Sequence, residues 1–354
     1  MLNKSLFDAN YKKLHAIRSA EIDKEIASLK NPSDAEIFRL QRRKSLGGSD
    51  MAAVMGISRF KTQVDLFYEK TGRKSEFGGN LKTVTGITLE PLIAALYSDR
   101  TGYKVKKARP VTMKNYSFIV GNFDRLVYQN GKLLCGLECK SVGRIAHDLK
   151  DWQGKIRDAW LAGNVYDQNK NLIAESDSIN PDYYSQVQCY LAISKLDFWD
   201  VAALFGNGDD LKIYRVHRDE EFISRMLADA TKFWCDVLED KVPDPVLQDL
   251  KKVQSSAVTI EADNNLISLC AQYRNLKSQI KNLEEKSNTL KNEIAQAVGE
   301  SEKAITKIDG KIKTLVSFKS SQRESFDLEK FKAEHYDIYK NYLKSIQIRT
   351  LRIY

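Results

Sequence analysis

Apolar residues recur every three or four positions in several parts of the chain, and this spacing predicts amphipathic helices. In the first 40 residues the pattern runs from Leu14 to Leu29, and Asn31-Pro32-Ser33-Asp34 then ends one helix and caps the next. Gly47-Gly48-Ser49-Asp50 predicts a turn in which Ser49 or Asp50 caps a further helix. The other helices of the first 250 residues are predicted at 62–72, 86–102, 181–192 and 220–238.

Strands are predicted where β-branched and aromatic residues are bounded by turn residues. Residues 111–137 show this pattern and contain Asn130-Gly131, a pair typical of a hairpin turn. Two more strands are predicted at 198–205 and 211–216. The long polar segment 143–181 is expected to hold a helix plus a flexible excursion.

Asp124 and the run Glu138-Cys139-Lys140 have the chemistry of a site that cuts phosphodiester bonds. Strand side chains alternate in direction, so Glu138 and Lys140 point one way and Cys139 the other. Carboxylates are hard oxygen ligands for Mg²⁺ or Mn²⁺, and such a metal polarises a phosphate and activates water. An ordinary ion pair on a solvated edge strand is the alternative interpretation of so short a pattern.

The length of the hairpin turn decides whether these acids can meet. A two-residue turn at Asn130-Gly131 would set Asp124 opposite Leu137, on the wrong face for Glu138. A three-residue turn that begins at Gln129 would set Asp124 opposite Gly136, on the same face as Glu138. We predict the second form, with Gly131 left-handed in a bulge.

The clearest periodicity lies beyond Pro243 and Pro245, which mark a predicted domain boundary near residue 250. Apolar spacings of three and four alternate over about four heptads, with one polar interruption at Ser287. The seam consists of Leu266, Leu269, Tyr273, Leu276, Ile280, Leu283, Ser287, Leu290, Ile294 and Ala297. Such a helix either folds back on its own domain or forms an arm that contacts DNA or a partner.

Two domains are therefore predicted, a core at 1–250 with an N-terminal helical segment and an extension at 251–354. The extension is expected to contain the heptad helix at 262–298, a β-hairpin at about 304–319 that turns at Asp309-Gly310, and a terminal helix from Phe331 to Leu343.

Charge is concentrated in the extension. The chain has 354 residues and a formal net charge of +9. Residues 251–354 carry 19 Lys or Arg against 13 Asp or Glu, whereas residues 1–250 carry 37 against 34. A basic excess of this kind is expected near a polyanion, and a solvated basic face would give the same count.

Other bulk features narrow the class of protein. The sequence has no apolar run of 18 residues, which excludes a membrane span, and its N-terminus lacks an apolar signal region. Its five cysteines are scattered without a C-x-x-C pair, which argues for a reducing compartment and against zinc, disulfide or iron–sulfur frameworks. A cytoplasmic location is expected.

Four segments in order resemble the YqaJ-type viral recombinase family, which is related to phage lambda exonuclease within the PD-(D/E)xK nuclease superfamily. They are the segments 42–50, 86–91 and 184–188 and the hairpin that carries Asp124 and Glu138-Cys139-Lys140. The resemblance implies an α/β (α+β) fold with a restriction-endonuclease-like core, in which helices flank a mixed central β-sheet. The heptad pattern adds a helical coiled-coil C-terminal extension.

The resemblance also implies roles for individual residues. Asp124, Glu138 and Glu90 would hold Mg²⁺, two ions in all with Mn²⁺ as a substitute, and the Cys139 carbonyl would be a further ligand. Lys140 would position or deprotonate the attacking water.

Three more residues complete the implied site. Gln186 would fix the geometry of the lysine or of a phosphate, and Arg42 and Ser49 match the family's pocket for a 5′-phosphate.

Three features depart from the family pattern. Asn122-Phe123 replaces the usual small residue and proline before the catalytic Asp, and Arg125 replaces the glycine that commonly follows it. The segment between Lys140 and Gln186 is also longer than is typical of the family.

The resulting functional hypothesis is a divalent-metal-dependent DNA exonuclease, encoded by a bacteriophage or prophage, that resects linear duplex ends 5′ to 3′. Its expected partners are duplex DNA ends, a single-strand annealing protein and further copies of itself, a trimer by the family resemblance. The alternatives are a non-catalytic DNA-binding or assembly protein on a nuclease scaffold and a restriction-like endonuclease.

Overall fold

The computed structural model describes most of the chain in two compact units, Met1–Leu250 and Lys251–Tyr354. The described residues are 7–74, 81–143, 161–206, 208, 210–252, 259–308, 311–320, 327–343, 351 and 353. No helix among them is both long enough and apolar enough to cross a membrane.

The helices of the first unit agree closely with the apolar periodicity. They are α1 (Ala9–Ser28), α2 (Asp34–Arg42), α3 (Met51–Val54), α4 (Gln63–Thr71), α5 (Leu81–Thr101), α6 (Pro181–Ser194), α7 (Glu220–Leu238) and α8 (Leu247–Leu250). Their ends follow local chemistry. Ser33 forms a capping box for α2, and Gly72 ends α4 with a left-handed backbone. Helix α5 begins five residues earlier than its predicted start at Gly86.

The strands of this unit are shorter and more numerous than predicted. They are β1 (Leu46–Gly47), β2 (Lys104–Lys107), β3 (Val111–Met113), β4 (Tyr116–Gly121), β5 (Arg125–Gln129), β6 (Lys132–Val142), β7 (Leu161–Ala162), β8 (Val165–Tyr166), β9 (Leu172–Ala174), β10 (Asp177–Ser178), β11 (Phe198–Phe205) and β12 (Asp210–His217). Between 161 and 178 the segment forms short strands, where a helix plus a flexible excursion was expected, and its residues 144–160 lie outside the described part of the chain.

The central sheet has five strands in the order β12-β11-β6-β5-β2. Strands β6 and β11 run parallel and the other neighbouring pairs are antiparallel, so the sheet is mixed. A second sheet, β1-β4-β3, joins the N-terminal segment to the core through parallel pairing of β1 with β4. The predicted fold class, a mixed sheet flanked by helices, is confirmed.

Alternating residues of β11 define the two faces of the central sheet. Trp199, Val201 and Ala203 belong to a core cluster that includes residues of α6 and α7. Ala202 and Leu204 belong to a separate cluster that includes residues of α5. Because neighbouring strands share faces at paired positions, the same alternation assigns each β6 side chain to the α6 side or the α5 side.

The β5–β6 hairpin has a different turn from the one predicted. Gln129 pairs with Lys132, so the loop contains only Asn130 and Gly131, which have φ angles of 51° and 79°. The prediction of a three-residue loop is therefore wrong. Two successive residues with positive φ are typical of the tight hairpin turn favoured by Asn-Gly.

A β-bulge beyond the turn places Asp124 on the same face of the sheet as Glu138, which the longer loop was predicted to do. Tyr128 pairs with Leu133 but Val127 pairs with Cys135, so Leu134 is an extra residue in β6. Arg125 then pairs with Leu137, and continuing this register sets the preceding Asp124 level with Glu138 rather than with Gly136. The two acids are brought together, by a different device from the predicted one.

The second unit contains a long helix, a hairpin and two short helices. These are α9 (Asn264–Val298), β13 (Lys303–Ile308), β14 (Lys311–Ser317), α10 (Leu328–Glu334) and α11 (Tyr336–Asn341). The predicted turn at Asp309-Gly310 lies outside the described residues. The single terminal helix predicted from Phe331 is instead two helices that meet at His335.

Substitutions at two glycines of the hairpin test backbone strain and side-chain packing separately. A Cβ at Gly131 would meet nothing within 4 Å, so Gly131→Ala tests only the positive φ and should cost about 1–2 kcal/mol. A Cβ at Gly136 would overlap the Trp199 ring, so Gly136→Ala should destabilise the fold considerably more. Denaturant unfolding of both variants checks the order, and a larger loss for Gly131→Ala would contradict the described packing.

Candidate active site

Glu138 and Lys140 lie on the α6 side of the central sheet. They pair with Val201 and Ala203 of β11, both of which face α6. The ammonium of Lys140 donates to Glu138 Oε1 over 2.6 Å, and Glu138 is only 3% exposed. Burial disfavours the ammonium form of Lys140, but the Glu138 charge together with Tyr183 and Asp124 outweighs it, so the pKa of Lys140 is raised.

Gln186 on α6 joins this pair to the helix above it. Its side-chain carbonyl accepts from Lys140 Nζ at 3.1 Å, and its amide donates to Glu138 Oε1 at 2.7 Å. The same amide donates to the Tyr190 hydroxyl at 2.8 Å, and that hydroxyl donates to the Asn122 carbonyl at 3.1 Å. The amide orientation of Gln186 is therefore fixed, since its oxygen meets a cation and its nitrogen meets a carboxylate.

Asp124 completes the cluster just before β5 begins. The backbone N–H of Cys139 donates to Asp124 Oδ2 over 2.8 Å, which ties the carboxylate to β6 beside Glu138. Burial, followed by the charge of Glu138, raises the pKa of Asp124 to about 7. Glu138 thus lies close enough to oppose the ionisation of Asp124.

Glu90 lies near these acids but has a cationic partner of its own. Its carboxylate forms an ion pair with Arg125, whose guanidinium also donates to the Asp124 carbonyl at 2.7 Å. Arg125 is the residue that stands where the family commonly has a glycine. Because the Arg125 guanidinium is paired with the Glu90 carboxylate, Glu90 is not available in this structure as a metal ligand beside Asp124 and Glu138.

The donor set fits a divalent cation in part. Among the described residues no group of three or more His, Cys, Asp or Glu side chains is arranged to hold a metal ion. However, Glu138 Oε2 is buried without a hydrogen-bond partner, and a buried carboxylate oxygen of this kind is a ready ligand for a hard cation. Burial raises the pKa of the Cys139 thiol, so only the carbonyl of that residue suits such an ion.

Arg42 and Ser49 are brought together around Gly47. A Cβ built on Gly47 would lie 3.9 Å from both Arg42 Nη1 and Ser49 Oγ. Asp50 does not cap α3 with its side chain. Instead its carboxylate accepts from the Gly47 N–H at 2.9 Å and pairs with Arg42 at 3.1 Å.

The buried Lys70 stabilises the positions of Arg42 and Asp50. Lys70 is fully buried, pairs with Asp50 at 2.8 Å and donates to the Arg42 carbonyl at 3.0 Å. Although burial opposes ionisation, Lys70 and then Arg42 hold the pKa of Asp50 well below its usual range. Asp50 therefore stays charged and holds the Arg42 guanidinium beside Gly47.

The N-terminal segment and the acidic cluster share α6 as a common support. A Cβ on Gly48 would lie 2.5 Å from the Tyr190 ring and 3.1 Å from the backbone carbonyl oxygen of Gln186. Only glycine therefore lets the segment pack this closely against α6. An open cleft of about 400 Å³ lies beside Arg42, and its lining includes Lys44, Ser45 and Asn122. The Asn122 carbonyl accepts from the Tyr190 hydroxyl, which links this cleft to the turn of α6 that carries Gln186.

Sequence reasoning missed four residues that shape the site. Tyr190 could have been found because it lies one helical turn after Gln186, a spacing that places both on one face. Arg125 was noticed only as a departure from the family pattern. Asp50 and Lys70 gave no signal as a pair, because they are 20 positions apart and meet only in the folded chain.

These elements define a mixed α/β protein in which the buried Glu138 and the half-buried Asp124 lie with a lysine and a glutamine beside β6. Residues 38–197 match the model of the YqaJ-like viral recombinase domain, which confirms the resemblance seen in the four segments. The match supports a recombination role for the chain.

One relative is similar over almost the whole chain. The chain is similar to the uncharacterized protein YqaJ of Bacillus subtilis (strain 168), with 25% identity over 343 residues that cover 93% of this chain and 97% of the relative.

Solved structures give weaker matches. An alkaline exonuclease from Laribacter hongkongensis matches with a TM-score of 0.43 and 17% identity over 58% of this chain and 93% of that one. A phage-related exonuclease from Haemophilus somnus 129PT matches with a TM-score of 0.38 and 15% identity over 55% of this chain and 96% of that one.

The raised pKa of Asp124 predicts a pH-dependent gain in stability on its neutralisation. Because the folded-state pKa of about 7 exceeds the unfolded value, wild-type stability falls as pH rises from about 4 to 7. Asp124→Asn keeps an acceptor for the Cys139 N–H and removes this loss. Without metal, the melting temperature of Asp124→Asn should exceed that of the wild type, and the difference should be larger at about pH 8 than at about pH 5. Each kcal/mol gained in the free energy of unfolding should raise the melting temperature by roughly 2–4 °C.

The exposed Asp244 provides the matched control. Asp244→Asn should change the melting temperature little at either pH. An Asp124→Asn gain that is equal at the two pH values would contradict the burial of an ionisable Asp124 beside Glu138.

Proposed function

We propose that this protein is a divalent-metal-dependent DNA exonuclease that resects linear duplex ends from 5′ to 3′. The observation that carries the proposal is the joint placement of Asp124, Glu138 and Lys140, with Gln186 bonded to two of the three. An ordinary edge-strand ion pair would be solvated. Here Glu138 and Gln186 are buried between the sheet and α6 and are hydrogen-bonded to one another.

The side chains have distinct parts in this proposal. Asp124 and Glu138 would hold Mg²⁺ or Mn²⁺, with the Cys139 carbonyl as a further ligand, and the ion would supply charge neutralisation of the phosphate and an activated water. Lys140 is a compact cation with three donors, which suits it to orient the attacking water and to stabilise negative charge on the phosphate. Gln186 holds the Lys140 ammonium in position.

Glu90 would act through Arg125 in the resting site. The ion pair keeps Arg125 beside the Asp124 carbonyl, where a guanidinium can also meet a phosphate of the DNA backbone. If DNA attracts that guanidinium, Glu90 is released to join the acids. This gives the chain a route to the full predicted set of Asp124, Glu138 and Glu90.

Recognition of the DNA end is assigned to the Gly47 region. Arg42 presents a guanidinium and Ser49 an exposed hydroxyl on the same side of Gly47, and both groups bind phosphate well. Since Lys70 neutralises the Asp50 carboxylate, Arg42 can contact a phosphate without leaving a buried charge unpaired.

Digestion assays on labelled DNA test the enzyme hypothesis directly. Purified protein with Mg²⁺ should shorten linear duplex and spare covalently closed circles, and loss of the label should begin at 5′ termini. Lys140→Ala should reduce the rate by roughly 10²–10⁴-fold, the range expected when a positioned proton-handling group is lost. Lys241→Ala, at an exposed lysine, is the matched control and should leave the rate unchanged.

The other outcomes separate the alternatives. Nicking of closed circles would indicate a restriction-like endonuclease. Intact linear duplex in both Mg²⁺ and Mn²⁺, together with metal-independent DNA binding, would indicate a non-catalytic binding protein and overturn the proposal.

Arg42 and its neighbour Arg43 form a matched pair for testing end recognition. Arg42 lies at the Gly47 region, whereas Arg43 pairs with Glu25. Arg42→Ala should slow digestion of 5′-phosphorylated ends by roughly 10–100-fold, the loss expected for a charged hydrogen bond, with little effect on 5′-hydroxyl ends.

Arg43→Ala should leave the ratio of the two rates unchanged. An Arg42→Ala variant that digests both kinds of end more slowly by the same factor would contradict a phosphate-specific role and leave the nuclease proposal standing.

A further inference from the structure

The long helix α9 exposes its whole apolar seam. No residue of α9 is buried, and the exposed fractions of its large apolar seam residues range from 40% at Leu266 to 64% at Leu283. The other described helices of this unit, α10 and α11, have only seven and six residues. Neither is long enough to cover a seam of 32 residues, from Leu266 to Ala297.

The seam can be paired with a second copy of itself in two directions. A parallel pair places each seam residue against its own counterpart, so Ser287 meets Ser287 and Ala297 meets Ala297. An antiparallel pair that overlaps along the full helix instead places Ile280 against Leu283 at its centre. The antiparallel layers are Leu266 with Ala297, Leu269 with Ile294, Tyr273 with Leu290, Leu276 with Ser287, and Ile280 with Leu283.

Side-chain size favours the antiparallel arrangement. Each small seam residue then meets a large one, since Ser287 faces Leu276 and Ala297 faces Leu266. Interdigitation of large with small residues fills the space between helices evenly. The parallel arrangement would instead stack two small or two polar residues in the same layer.

Flanking charges favour it as well. In the parallel pair, Lys286 of each copy would lie beside Lys291 of the other, which gives two like-charge contacts. In the full-overlap antiparallel pair, Lys277 of each copy lies beside Glu284 of the other, which gives two attractive contacts. The remaining flanking contacts each pair a charged residue with a neutral one: Cys270 with Lys291, Gln272 with Glu293, and Gln279 with Lys286.

The same charges disfavour slipped antiparallel registers. A shift by one heptad in one direction would bring Lys277 against Lys277. A shift in the other direction would bring Glu284 against Glu284 and Lys286 against Lys286. The full-overlap register is therefore the one among these that contains no like-charge contact, which is how heptad sequences specify a partner and a register.

We infer that α9 forms an antiparallel coiled coil with α9 of a second copy of this chain, centred between residues 281 and 282. The inference does not depend on the proposed nuclease activity. It identifies the seam as a homotypic interface, where the heptads alone left open a helix folded back on its own domain, an arm on DNA or a different partner.

Disulfide trapping in the full-length protein tests direction and register together. The variants are S287C and L276C, each with C270A to remove the cysteine already on this helix. In the antiparallel coil position 287 of one copy faces position 276 of the other, whereas the two copies of position 287 are about 16 Å apart. Neither variant should cross-link alone on mild oxidation, and an equimolar mixture should give a covalent dimer.

The controls make each outcome decisive. Cross-linking by S287C alone would show a parallel coil and overturn the inference. A mixture that stays uncross-linked, while circular dichroism shows the helix intact, would show that the seam is covered by something other than an antiparallel second copy, which also overturns it. The C270A protein without added cysteines sets the background from the other four.

A charge exchange provides an independent test. Lys277→Glu converts both attractive contacts into Glu–Glu contacts and should raise the dimer dissociation constant by roughly 10-fold, and adding Glu284→Lys should restore it. A parallel coil would respond differently, because Lys277 and Glu284 would then each face a glutamine. Sedimentation that shows no change for the single variant, or no recovery for the double variant, would contradict the antiparallel register.

Discussion

The structure of the candidate site depends on the contact of Gln186 with Glu138 and Lys140. One amide side chain reaches from α6 to a carboxylate and an ammonium on the same face of β6. This is possible only because β6 lies beside β11 in the middle of the sheet, with α6 packed over both. A charge pair on a solvated edge strand would need no such partner, and the strand would be free to move.

The same helix sets the position of the predicted end-binding segment. Gly48 packs against Tyr190 and the Gln186 backbone, while Tyr190 also bonds to Gln186 and to the Asn122 carbonyl. The loop before Asp124, the Glu138–Lys140 pair on β6 and the segment after α2 thus all contact the same turn of α6. A change at Gln186 or Tyr190 would be felt at all three.

The sequence was sufficient for most of the local structure and insufficient for the details that align the site. Helix ends followed from caps such as Ser33 and Gly72, and the long helix from its heptads, because these signals are local. The hairpin turn was mispredicted because Asn-Gly was given a longer loop to reconcile it with the face of Asp124. The chain instead has a tight turn and one extra residue, Leu134. The sequence around Leu134 contains no pattern that predicts a bulge.

The two buried carboxylate sites differ in whether the protein itself balances their charge. Asp50 has Lys70 and Arg42 as counter-ions, and its pKa is depressed despite burial. Asp124 has a carboxylate neighbour and a lysine that is already bonded to Glu138, and its pKa is raised. Burial is common to both, so the difference must come from the missing positive charge. This shortage of positive charge beside Asp124 supports the proposed divalent metal at Asp124 and Glu138, because a bound cation would supply there the charge that Lys70 supplies to Asp50.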